Sequence, residues 1–206
     1  MNKIVVLGGT FNPITKAHAH ILKSAAKKVK ATKMILVPTA DSFITSWKNY
    51  SKESILAPDI RLECMDAFVK RNKNVTLSLL EYSGETSKTF DTLNALALEN
   101  PDSEIYFVCG SEKLKELHTW YKFDELLYKY KFVIVERNND NIMDLFNENR
   151  ELSKYKNSFI FLKQNNRYES VSSTKLREAI NKKEYKNIED YTFKYVLSIL
   201  KKNGLM

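Results

Sequence analysis

Short, largely apolar runs recur along the chain at Ile4–Leu7, Met34–Val37, Val75–Leu79, Ile105–Val108, Phe132–Val135 and Phe159–Leu162. Runs of this length, apolar at nearly every position, read as strands covered on both faces. Between them, apolar positions recur at helical spacing near residues 17–29, 59–71, 90–99, 122–129, 173–182 and 190–202. Asp59 and Asp91 stand in the first turns of two of these segments, where acids suit a helix start. The alternation predicts an α/β fold: a doubly wound, mostly parallel sheet in α/β/α layers, with a small C-terminal helical portion. Two stretches break the rhythm. Residues 38–57 form a long connection without a clear element, as lids and binding loops do. Residues 138–157 are polar and Asn-rich and read as surface helix and loop.

A length of 206 residues suits one domain, with no internal repeat or low-complexity linker. Hydrophobic residues at 43% and aromatics at 12% call for a folded core. No apolar run approaches the ~20 residues of a membrane span, and the start, Met1-Asn2-Lys3-Ile4, enters a strand without a signal peptide's architecture. Cys64 and Cys109 lie in apolar surroundings without metal-ligand spacing, so they read as reduced core thiols of a cytoplasmic protein. A net charge of +8 raises the question of nucleic acid. The lysines are scattered, however, with no compact basic run. A lysine-rich surface and a small polyanionic substrate are the better readings. Oligomeric state stays open, a homo-oligomer included.

The chemistry concentrates at two places. The first is Gly8-Gly9-Thr10-Phe11-Asn12-Pro13-Ile14-Thr15-Lys16-Ala17-His18, between the first strand and the first helix. A glycine-containing turn there is where an α/β sheet holds a phosphate. Backbone N–H groups from Gly8 to Phe11 and the Thr10 hydroxyl can cradle phosphate oxygens. Thr15 and His18, at i and i+3, share a helix face and can both address one phosphate chain. His20 falls on another face and reads as structural. Neither Gly-x-Gly-x-x-Gly nor Gly-Lys-Ser/Thr is present. The second place is Val171-Ser172-Ser173-Thr174-Lys175-Leu176-Arg177. Its hydroxyl residues cap an amphipathic helix whose first N–H groups lack partners, and Arg177 follows one turn inside.

The first motif resembles the nucleotidyltransferase signature Gly-Gly-(Thr/Ser)-Phe-(Asp/Asn)-Pro followed by (His/Thr)-x-Gly-His, with Ala17 in place of glycine and His18 as the second histidine. The second resembles that superfamily's Ile-Ser-Ser-Thr-x-(Ile/Val)-Arg. Between them, Val37-Pro38-Thr39, Trp47-Lys48, Arg61-Leu62, Ser87-Lys88-Thr89-Phe90-Asp91-Thr92-Leu93, Gly110-Ser111-Glu112-Lys113-Leu114, Leu117-His118-Thr119-Trp120 and Val135-Glu136-Arg137 resemble segments of bacterial nicotinate-nucleotide adenylyltransferases. Departures are Ser46-Trp47 for two prolines, Lys88 for an aromatic or apolar residue, Glu112 for aspartate, and Tyr191-Thr192 for a Val-Pro pair.

The resemblance covers nearly the entire chain and implies a single Rossmann-like nucleotidyltransferase domain over residues 1–206, with about 170–206 carrying the C-terminal phosphate motif and helices. It implies adenylyl transfer from ATP to nicotinate mononucleotide, giving deamido-NAD and pyrophosphate in NAD biosynthesis. His18, Thr15 and Arg177 would be catalytic. Gly8, Gly9, Thr10, Phe11, His18, Gly110, Glu112, Ser172, Ser173, Thr174 and Arg177 would hold ATP. Thr10, Lys48, Thr89, Trp120 and Arg137 would hold the mononucleotide, the Trp120 indole stacking on the pyridinium ring. Mg²⁺ would arrive with ATP and keep mostly water ligands, so no dedicated protein metal site is expected. The alternatives are nicotinamide mononucleotide adenylyltransferase, pantetheine-phosphate adenylyltransferase, which shares Pro-Ile-Thr-x-x-His, and a non-catalytic nucleotide-binding regulator.

Overall fold

A computed structural model describes residues 1–40, 56–137, 141–163 and 166–206. Its strands are β1 (Asn2–Gly9), β2 (Lys33–Pro38), β3 (Val75–Leu77), β4 (Ser103–Gly110), β5 (Lys131–Val135) and β6 (Phe159–Leu162). They form one sheet in the order β3-β2-β1-β4-β5-β6, and every neighbouring pair is parallel. The helices among the described residues are α1 (Lys16–Val29), α2 (Pro58–Val69), α3 (Thr89–Glu99), α4 (Phe123–Lys129), α5 (Ile142–Glu148), α6 (Arg150–Ser153), α7 (Ser173–Asn181) and α8 (Lys194–Lys202).

The parity of β1 organises the layers, because successive side chains leave a strand on opposite faces. Val5 and Leu7 pack with Leu22 and Ala25 of α1, Cys64, Met65 and Phe68 of α2, and Val196 and Leu200 of α8. Ile4 and Val6 pack with Phe90, Leu93 and Leu96 of α3, Leu126 and Leu127 of α4, and Phe146 of α5. Both faces are therefore covered, as a Rossmann-like sheet requires. The chain winds outward from β1 toward β3 on one side and from β4 toward β6 on the other. Such a reversal leaves a crevice at the carboxyl ends of the two central strands. Here those ends are Gly8-Gly9 and Cys109-Gly110.

Three segments add to or differ from expectation. β3 stops at Leu77, because the Leu79 carbonyl instead accepts from Ser83 N–H at 2.8 Å in a turn. The Asn-rich segment carries buried Ile142, Phe146 and Leu152, which anchor α5 and α6 to the second core. The last helix begins at Lys194 rather than near residue 190. Residues 191 and 192 are engaged elsewhere: the Tyr191 carbonyl accepts from Lys16 N–H at 2.9 Å, and the Thr192 hydroxyl donates to the Ile14 carbonyl at 2.7 Å.

Candidate active site

A cleft of about 350 Å³ opens at the carboxyl ends of β1 and β4, where the winding reverses. Its floor is the β1–α1 turn. Phe11 adopts a left-handed backbone with φ of 45°, uncommon for a bulky residue. Its ring is buried, lying over Gly9 and edge-on to the His18 ring at 5.1 Å. A Cβ on Gly9 would stand 3.1 Å from that ring, so the second glycine makes room for the phenyl group.

Thr15 is the N-cap of α1 and forms a reciprocal capping box with His18. The Thr15 hydroxyl oxygen accepts from His18 N–H at 3.4 Å. The Thr15 backbone N–H donates to His18 Nδ1 at 3.1 Å, and the Thr15 hydroxyl lies 3.0 Å from the same nitrogen. A backbone N–H can only donate, so Nδ1 is the acceptor and the proton of the neutral ring sits on Nε2. Nε2–H is then the donor left for the cleft. Burial first, and the Arg137 guanidinium second, together hold the imidazole pKa down to about 3. The site thus presents a neutral hydrogen-bond donor.

A second wall comes from the far end of the sequence. Ser172 caps α7, its hydroxyl accepting from Lys175 N–H at 3.2 Å. Ser173 donates to the Pro13 carbonyl at 2.8 Å, and Arg177 Nη1 donates to the Asn12 carbonyl at 2.7 Å. The same guanidinium reaches the Thr174 hydroxyl at 3.4 Å. The start of α7 is thereby tied to the back of the β1–α1 turn. Along the third side, Trp120 packs edge-on against Phe107 at 6.2 Å and Phe132 at 6.4 Å while lining the cleft. Lys113, Arg137 and Arg177 line the cleft together with Glu112, leaving its charge balance positive and suited to a polyanion. Gly110 leaves space for the Glu112 carboxylate to fold back over the strand end.

Of the residues expected at a site, Gly8, Gly9, Thr10, Phe11, His18, Gly110, Glu112, Trp120, Arg137, Ser173, Thr174 and Arg177 line this one cleft. Thr15 does not reach its wall. It is fully buried and bonded to His18, so its place is behind the imidazole rather than on a phosphate. Ser172 is consumed as a cap, and Thr89 opens α3, a helix directed into the second core by Phe90 and Leu93. Lys48 lies outside the described residues. Asn12, Lys113, Cys109 and Ile21 also line the cleft, beyond the residues expected there. Asn12 and Lys113 carried a signal, being direct neighbours of motif residues. Cys109 and Ile21 carried none beyond apolar patterning.

Among the described residues no cluster of His, Cys, Asp and Glu is built to hold a metal ion. Glu112 is the carboxylate in the cleft wall, a donor set that fits a cation carried mainly by phosphate and water rather than by the protein. Among the same residues no helix is long and apolar enough to cross a membrane.

The family model for cytidylyltransferase-like proteins matches residues 6–179. A protein of Clostridium tetani named probable nicotinate-nucleotide adenylyltransferase is 30% identical over 209 residues, spanning 100% of this chain and 99% of its own length. A Fusobacterium nucleatum protein of the same name is 32% identical over 184 residues, covering 88% and 89% of the two chains. Among solved structures, the Plasmodium falciparum nicotinic acid mononucleotide adenylyltransferase complexed with APC superposes with a TM-score of 0.75 at 19% identity, over 100% of this chain and 97% of that one. The same enzyme complexed with NaAD gives 0.74.

Proposed function

The chain belongs to the cytidylyltransferase-like family and, within it, to the nicotinate-nucleotide adenylyltransferases, and from that premise we propose that its cleft joins ATP to nicotinate mononucleotide. The observation that carries this reading is convergence. Two anion-binding turns from opposite ends of the chain open onto one cleft, and an aromatic wall completes it. A nucleoside triphosphate needs the first feature, and a flat pyridinium ring uses the second.

In this reading a 5′-phosphate oxygen of the mononucleotide attacks the α-phosphorus of ATP. The bond from that phosphorus to the bridging oxygen breaks, and pyrophosphate leaves with the electron pair. No covalent enzyme intermediate is involved, so catalysis rests on positioning and charge stabilisation. The Gly8–Phe11 backbone and Thr10 seat the α-phosphate region. His18 Nε2–H donates to the oxygen on which charge grows. Ser173, Thr174 and Arg177 take the distal phosphates, and Glu112 and Gly110 border the nucleoside. Trp120 stacks on the pyridine ring, with Arg137 beside the acceptor phosphate. Mg²⁺ bound to the triphosphate would neutralise part of its charge, held by phosphate oxygens and water with Glu112 nearby. The product, deamido-NAD, makes the reaction a step of NAD biosynthesis.

The test is pyrophosphate release by purified protein with ATP and Mg²⁺ and, in parallel, nicotinate mononucleotide, nicotinamide mononucleotide or phosphopantetheine. Release is expected with the nicotinate acceptor at the highest kcat/KM. Preference for the amide would reassign the acceptor and leave adenylyl transfer intact. Turnover with phosphopantetheine alone would overturn the pyridine reading. Tight ATP binding without turnover on any acceptor would favour a nucleotide-binding regulator.

A further inference from the structure

The peptide unit joining Ile14 to Thr15 is bonded at both ends. Its N–H is the Thr15 N–H that donates to His18 Nδ1 at 3.1 Å. Its C=O is the Ile14 carbonyl, which accepts the Thr192 hydroxyl at 2.7 Å. Both Ile14 and Thr192 have no solvent exposure, so water cannot substitute for this bond. The next peptide unit is held from the same segment, since Lys16 N–H donates to the Tyr191 carbonyl at 2.9 Å. A continuous line therefore runs from the Thr192 hydroxyl, through one amide, to the imidazole.

Resting on the adenylyl-transfer reading for its catalytic meaning, we propose that Thr192 is a positioning residue for His18, acting through the Ile14–Thr15 peptide. Two effects follow from the connection. The hydroxyl fixes the rotation of the amide plane, which aims the N–H at Nδ1 and thereby aims Nε2–H into the cleft. It also polarises the amide, because a carbonyl that accepts a hydrogen bond makes its own N–H a stronger donor. Thr192 touches no substrate in this arrangement. Its influence is on which ring nitrogen carries the proton and where that proton points.

The direct test is the ¹⁵N signature of the His18 imidazole in the unliganded protein, which separates the two neutral tautomers. Wild type should show the Nε2–H form alone. An Nδ1–H form in wild type would overturn the proposal without any variant. Thr192→Val keeps the shape and removes the hydroxyl, and Thr192→Ser restores it. The valine variant should show mixed tautomers and a kcat lower by about ten-fold. Its KM for ATP and for the acceptor should stay within about two-fold, as for lost transition-state interactions. The serine variant should recover both the single tautomer and the rate. Unchanged tautomer and kcat in folded Thr192→Val would refute the role, as would a rate loss with the tautomer intact. The nuclear signature needs no substrate, so it stands or falls separately from the assigned reaction.

Discussion

The two turns that open onto the cleft are built in opposite ways. At the β1–α1 turn nearly every side chain is committed to the protein itself. Phe11 fills space, and Thr15 is wholly buried with its hydroxyl on His18. Asn12 accepts the Leu56 N–H at 2.8 Å. At the start of α7, by contrast, Thr174 and Lys175 are exposed, and the cap is one serine bond of the kind found on many helices. The first turn is built to aim a single donor. The second is an ordinary helix start made useful by where Ser173 and Arg177 tether it. The contrast separates precision of aim from mere supply of donors, and it predicts which turn governs turnover and which governs affinity.

The largest effect should come from the aimed donor. His18→Ala is expected to fold and to lose about 10²–10³-fold in kcat, the usual consequence of removing one transition-state donor. Steady-state turnover with chemistry rate-limiting checks this, and a near-wild-type kcat would erase the contrast. The same variant sharpens it through pH. The unfolded chain takes up a proton at His18 as pH falls through 6.5, whereas the folded protein resists until about 3. Stability tied to this group is therefore intact above pH 6.5 and declines below it. His18→Ala should lose less of its urea midpoint than wild type between those two pH values.

Arg177→Ala should act mainly on the other variable. Loss of a charge-assisted hydrogen bond, about 1.5–3 kcal/mol, predicts a rise of about 10–100-fold in KM for ATP. A smaller fall in kcat should accompany it, because Nη1 also steadies the Asn12 carbonyl. Arg177→Lys should recover little, since a single ammonium cannot span Asn12 and Thr174. If KM for the acceptor moves instead, the subsites are exchanged. Trp120→Ala is expected to raise that acceptor KM by about 3–30-fold, the range of a cation–π contact, and to leave ATP nearly untouched. The smallest effect belongs to Ser172→Ala. It should cost about 1 kcal/mol of stability in denaturant unfolding, with both KM values held within two-fold. A large KM change there would mean that the cap itself binds ligand.

Much of this was legible in the sequence because it is local. Apolar runs mark the six strands of the sheet among the described residues, and both turns announce themselves by residue type and spacing. The roles of Thr15 and Thr192 were not legible. Thr15 at i and His18 at i+3 fit two arrangements, both side chains facing a ligand or one holding the other. Only the buried geometry selects the second. Thr192 meets Ile14 across 178 positions, and no local pattern encodes such a contact. That Thr89 lies outside the cleft lining was hidden for a related reason. Its motif marks a helix start, but the direction of that helix is set by Phe90 and Leu93 packing beneath the sheet.

Three successive carbonyls of the first turn, those of Asn12, Pro13 and Ile14, each accept a side chain lying 160 to 178 residues later. Chains are made from the N-terminus, so the turn emerges first and its three partners last. The central strand pairs can form before then, and the hydrophobic faces can begin to close. A chain halted before residue 173 would hold most of the sheet, yet its turn would lack Ser173, Arg177 and Thr192, with those carbonyls left to water. Assembly of the sheet and completion of the cleft are thus separated in time, and nucleotide-dependent protection from proteolysis should appear only after the C-terminal segment has docked.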